Sequence, residues 1–179
     1  MRTLLLLATV LALASCHKSS QSPSFDFGLG DGFSHRDSQN LPNGSQDPTD
    51  WTTDATWNAQ EKALFSDLGI SLDSPQQPDF IDYTAVYSNP ATNATWLVQS
   101  KQAYGAVPPN FLAAAVIVRS NYQLVLRLPQ RPASKGSLGF VFDYAKLGLQ
   151  PGEMARLYYV LFDTSGLLYK GHGDIRFAQ

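Results

Sequence analysis

FLAAAVIVRSNYQLVLRL, residues 111–128, decides the fold class. Its first run, Phe111 to Val118, is the most apolar stretch outside the amino terminus, yet its length falls far short of a membrane span and suits a strand, expected over Phe111 to Arg119. A second β-rich run, Tyr122 to Leu128, follows with no room for a helical crossover. Working outward, five more runs of the same kind appear: Phe80 to Tyr87, Ala94 to Ser100, Leu138 to Tyr144, Arg156 to Asp163, and Leu167 to Lys170 continuing to Phe177. Between them lie turn formers: Ser88-Asn89-Pro90, Pro108-Pro109-Asn110, Pro129 to Gly136, Gly148 to Gly152 and Thr164-Ser165-Gly166. Glycine permits positive φ there, and proline fixes φ without donating to a ladder. About seven strands without crossover helices exclude parallel βαβ architecture and predict a mainly β chain, an antiparallel β-sandwich over residues 80–179.

Upstream, residues 51–79 read as a short helix and connector. Trp51 to Gly69 is amphipathic, Asn58 and Glu61 stand at capping-box spacing, and Gly69 is placed to end the helix. Leu64, Phe65, Leu68 and Trp57 share a face expected to pack on the sandwich, because so short a helix is marginal alone. Trp51 and Trp57 are expected as packing anchors, with a sugar-stacking platform as the alternative. Residues 18–50 are dense in Ser, Gly, Asp, Asn, Gln and Pro and are expected to be a flexible tether. Asp26, Gly28, Gly30, Asp31 and Gly32 suggest a calcium loop, but their spacing does not match an EF-hand, and solvated linker is the preferred reading.

The amino terminus has the three parts of an export signal: Arg2, an uncharged run from Leu4 to Ala14, and the closing Leu13-Ala14-Ser15-Cys16. Leu-Ala-Ser-Cys resembles the lipobox of bacterial lipoproteins. The resemblance implies cleavage between Ser15 and Cys16, a diacylglyceryl group and palmitate on Cys16, and a mature chain held on a membrane by two or three acyl chains. In such lipoproteins Asp after the cysteine favours the inner membrane; here the residue is His17, which implies the outer membrane of the cell envelope. Loss of the first fifteen residues leaves 164 residues with a net charge near −3, with no basic patch to engage phosphates, so nucleic acid is not an expected partner. Cys16 is the single cysteine, so the folded part has neither disulfides nor thiolate metal sites.

The chain as a whole resembles the small envelope lipoproteins of Gram-negative bacteria with a sandwich domain. Leu149, Pro151 and Gly152 followed by Tyr158 and Tyr159 are similar to the tyrosine corner of immunoglobulin-like and fibronectin-type sandwiches, which implies an immunoglobulin-like topology and a tyrosine bonded back to the preceding loop. Val86 to Asn93 and Asp163-Thr164-Ser165-Gly166 resemble the opening and the central turn of the sandwich sorting domains of type IX secretion. That resemblance implies fold class only.

Chemistry is sparse. Ser165, His172 and Asp163 or Asp174 are the residue types of a nucleophilic triad, but no nucleophile elbow flanks Ser165. The expected role of Gly171-His172-Gly173-Asp174 is structural, the glycines bending the last strand while His172 and Asp174 satisfy nearby backbone groups. His17 and His35 fall in the anchor and tether, so no metal site and no cofactor are expected. The glutamates Glu61 and Glu153 do not suggest a catalytic carboxylate pair. The sequence therefore predicts a non-enzymatic envelope module with a protein partner. The alternative is a carbohydrate-binding module stacking sugars on Trp96, Tyr104, Tyr122, Tyr158, Tyr159 and Tyr169. Exposed coplanar rings on one sheet face would favour sugar; buried rings would favour protein interaction.

Overall fold

A computed structural model describes residues 22–101, 103 and 110–179. Residues 1–21, with the expected signal and Cys16, and Tyr104 lie outside the described residues. Among the described residues, eight strands form two antiparallel sheets. They are β1 (Thr52–Thr53), β2 (Ile81–Tyr87), β3 (Asn93–Ser100), β4 (Leu112–Val118), β5 (Leu124–Pro132), β6 (Ser137–Asp143), β7 (Met154–Asp163) and β8 (Gly166–Arg176). One sheet has the order β1-β8-β7-β4-β5 and the other β2-β3-β6, so the chain is a β-sandwich. β2 to β8 coincide with the seven expected runs. β5 starts later than the expected Tyr122 to Leu128, because Tyr122 sits in the β4–β5 turn at φ 61°, and it runs on through residues 129–132, expected as a turn, because an edge strand tolerates proline.

Alternation along β4 and β7 explains why both read as continuous apolar runs. Ala113, Ala115, Ile117, Leu157, Tyr159 and Leu161 face the other sheet and pack with Val86, Trp96 and Val98. Ala114, Val116, Val118, Tyr158 and Val160 face outward, yet they too are buried, under Trp57, Phe65 and Leu72. A sheet covered on both faces carries apolar residues at every position. The connector 51–79 is that cover.

Only the middle of the expected helix is helical: α1 spans Ala59–Ala63. The capping box forms, with the Glu61 N–H donating to Asn58 Oδ1 at 3.0 Å and the Asn58 N–H to Glu61 Oε2 at 2.6 Å. Upstream, Thr52 and Thr53 pair with His172 and Gly171 of β8 as a sheet-edge strand. Pairing satisfies their backbone groups through tertiary contact, where a lone helical turn would be marginal.

The expected tether is corrected from residue 22 onward, since most of the segment up to Asp50 is docked on the sandwich. Phe33, Ser34, Asp47 and Asp50 are buried. The Phe25 N–H donates to Ser120 O, and Arg36 exchanges both backbone hydrogen bonds with Asn89 at 2.9 Å. The Asp and Ser residues taken as marks of disorder make turns instead. Asp37 Oδ1 accepts from the N–H groups of Gln39 and Leu41, and Asp47 Oδ1 from that of Thr49. Three phenylalanines supply the apolar contact: the Phe25 ring lies 5.1 Å from Tyr122 and 5.5 Å from Phe27, and Phe33 is 1% exposed.

Candidate functional site

The motif Gly171 to Asp174 lies in the middle of β8, with β7 on one side and residues 50–54 on the other. The expected bend is not there, for β8 runs unbroken from Gly166 to Arg176 and neither Gly171 nor Gly173 has positive φ. These glycines are needed for close approach. A Cβ on Gly171 would lie 2.2 Å from Thr52 O, and one on Gly173 would lie 2.3 Å from the Trp51 indole. Trp51 thus lies flat on β8 where a side chain is missing, stacked 6.4 Å from the Tyr159 ring.

His172 and Asp174 both serve the docked segment. His172 Nδ1 is 2.8 Å and 2.9 Å from the two carboxylate oxygens of Asp54, and Asp54 Oδ2 also accepts from the Trp57 indole N–H at 2.7 Å. This trio fastens the connector to β8. Asp174 is fully buried and faces Arg156 across the β7–β8 register. Arg156 Nε and Nη2 donate to its two oxygens at 2.6 Å and 2.7 Å, and the guanidinium lies 4.3 Å above the Phe25 ring. The Asp174 carboxylate also takes a hydrogen bond from the Gly28 backbone, and its own N–H donates to Asp50 Oδ1 at 2.8 Å. Asp50 Oδ2 accepts from the Ser34 N–H at 2.7 Å.

Asp47, Asp50 and Asp174 therefore form a buried cluster in which each offers a carboxylate oxygen within 4.8 Å of the others'. Burial, followed by the neighbouring charge of Asp174, pushes the Asp50 carboxyl up to about 7. Burial also raises Asp174, against the opposing pull of Arg156. Asn89, wholly buried, ties the cluster together. Its Nδ2 donates to the carbonyls of Ser34 and Asp174, and its Oδ1 accepts from the Arg176 N–H. Beside the cluster a cavity of about 270 Å³ is walled by Arg36, Asp47, Asp50, Trp51, Tyr83 and Tyr169, among others.

The remaining sequence candidates are not gathered into a site. Asp163 and Ser165 form the β7–β8 hairpin turn, where the Ser165 N–H donates to Asp163 Oδ1 at 2.7 Å. His172 is about 20 Å farther along the strand, so Ser165 and His172 are not brought together. Trp96, Tyr158, Tyr159 and Tyr169 are at most 5% exposed. The first and third lie between the sheets, with ring centroids 5.6 Å apart, and Tyr169 stacks on Tyr159. Tyr158 packs on the opposite face against Trp57. The expected sugar-stacking surface is therefore not formed by these four. Tyr122 is partly buried beside Phe25, and its hydroxyl accepts from Asn58 Nδ2 at 2.9 Å. No tyrosine corner forms at either expected residue. The Tyr158 hydroxyl donates to Glu61 at 3.0 Å, and that of Tyr159 is buried without a hydrogen-bond partner among the described residues.

Asp47, Asp50 and Arg156 were not singled out as site residues by the sequence, and Trp51 was singled out only as a packing anchor or sugar-stacking residue. One signal was present: a lone arginine inside the apolar run Met154 to Phe162, where a charge implies a buried partner.

No family model and no curated protein matches the chain. Among solved structures it is similar to a glycosyl hydrolase family 2 member from Bacteroides cellulosilyticus, at 13% identity and a TM-score of 0.34. That likeness covers 55% of this chain and 15% of the hydrolase. A likeness of this degree carries no argument about activity.

Proposed function

We propose that this chain is a non-catalytic lipoprotein of the bacterial envelope, held on the outer membrane by lipid on Cys16, whose sandwich binds another envelope protein or maintains surface structure. The observation that carries the proposal is Leu13-Ala14-Ser15-Cys16, closing the apolar run at the position a lipobox requires. The fold adds a geometric consequence. Phe25, the first residue packed on the sandwich, follows Cys16 by nine positions, a span of at most about 30 Å. The body is thus held within about one domain diameter of the lipid, which suits a partner at the membrane surface.

Interior placement of Trp96, Tyr158, Tyr159 and Tyr169 favours protein interaction over sugar stacking. β5 and β6 each end a sheet and bear the exposed side chains Leu124 and Val141, the kind of edge to which another chain adds. Palmitate labelling of cells making the wild type and Cys16→Ala tests the anchor. The wild type should take up label and sediment with outer membranes, and the variant should do neither. Label retained in the variant would overturn the proposal.

A further inference from the structure

We propose that Asp47, Asp50 and Asp174 form a binding site for a calcium ion that pins the amino-terminal segment to β8. All three are at least 94% buried, and among the described residues the guanidinium bonded to them is that of Arg156, held by Asp174. With one cation beside three buried carboxylates, two are left to be neutralised by a proton or by a further cation, because burial makes unpaired charge costly. A divalent cation restores the balance. The donors are all oxygens, which selects a hard ion over zinc or copper.

A second observation points to the ligand. Asp47 Oδ1 accepts from the Thr49 N–H and hydroxyl, at 2.8 Å and 2.7 Å, whereas Asp47 Oδ2 is buried and has no hydrogen-bond partner among the described residues. That free oxygen is aimed at Gly28, where an added Cβ would fall 1.3 Å from it. The Gly28 backbone in turn hydrogen-bonds the Asp174 carboxylate. Asp47 Oδ2 and the Asp174 carboxylate thus both lie against Gly28, in space that a side chain there would fill. Three oxygens no more than 4.8 Å apart share a point no more than about 2.8 Å from each. Shifts of a few tenths of an ångström bring them to the 2.3–2.6 Å typical of calcium, whereas magnesium requires about 2.0–2.1 Å.

The site joins residue 28, residues 47 and 50, and residue 174, so an ion there fixes the docked segment on the last strand. Mature protein stripped with a chelator and melted with and without calcium chloride tests this. Calcium should raise Tm saturably, magnesium less, and a calcium concentration 100-fold above Kd multiplies the folding constant by about 100. Asp47→Asn should weaken the effect at least tenfold. Terbium ions should give emission sensitised by Trp51, adjacent to Asp50, and calcium should displace it. If Asp47→Asn does not fold, the wild-type melts and the terbium titration decide. No calcium-dependent rise in Tm up to about 10 mM, ten times the weaker affinities of extracellular calcium modules, would overturn the proposal. So would a wild-type melt that responds to pH alone, or an unchanged calcium effect in Asp47→Asn.

Discussion

Gly173→Ala adds one methyl group to the middle of β8, and its cost follows from what the methyl meets. The new carbon would sit 2.3–2.4 Å from three atoms of the Trp51 indole, so the ring must retreat by about 1 Å to reach ordinary contact. Trp51 is 9% exposed, and a buried tryptophan removes about 150–250 Å² from water, which at about 25 cal/mol per Å² bounds its burial near 4–6 kcal/mol. Partial loss of that packing predicts a destabilisation of about 2–4 kcal/mol. Trp51→Ala alone should cost about 3–5 kcal/mol. In the double variant the clash is gone, and alanine is itself preferred over glycine inside a strand by about 0.5–1 kcal/mol. Gly173→Ala should then be neutral or slightly stabilising when introduced into Trp51→Ala. Urea unfolding of the four proteins measures the coupling, expected at about 2–4 kcal/mol. Additive costs would refute the reasoning, because they would mean that Gly173 serves the strand backbone and not the indole.

Arg156→Ala should destabilise by about 3–5 kcal/mol in the same unfolding assay, since it leaves Asp174 buried without its partner; a loss under about 1 kcal/mol would contradict a buried pair. Asp50 gives a pH dependence of defined sign. Its carboxyl titrates near 7 in the fold and near 3.8 when exposed, so between those values the folded chain holds a proton that the unfolded chain has lost. Stability contributed by that proton is present below about pH 4 and is lost as pH rises to 7, a change of about 4 kcal/mol. Unfolding in chelator at pH 5 and pH 8 should show this loss in the wild type and a much smaller one in Asp50→Asn; parallel profiles would refute it.

Strands were legible in the sequence wherever apolar runs met turn residues, which is why β2 to β8 were located; the misplacements include Tyr122, in a turn whose positive φ its side chain does not announce, and residues 129–132, which extend β5 along a sheet edge where proline is tolerated. β1 was not legible, because two threonines have no periodicity and pair only through a strand more than a hundred residues away. Residues 22–50 were misread because Asp, Ser and Gly serve disorder and tight turns equally, and composition does not count the contacts of Phe25 and Phe33. Of the site, His172 and Asp174 drew notice as a motif. Their partners Asp54 and Asp50 lie 118 and 124 positions away, a pairing that only the folded register brings together. Gly171 and Gly173 were noticed as glycines but assigned to conformation, when the space above them is what Trp51 and Thr52 require.

Docking of residues 22–50 on the sandwich brings the folded body close to the anchor proposed at Cys16, and limited proteolysis of the mature protein tests that docking most directly. Mass spectrometry of the resistant core should find its amino terminus before Phe25, with the stretch from Phe33 to Asp50 protected by its burial against β8 and Asn89. A resistant core beginning near Trp51, with residues 22–50 removed at low protease, would contradict it.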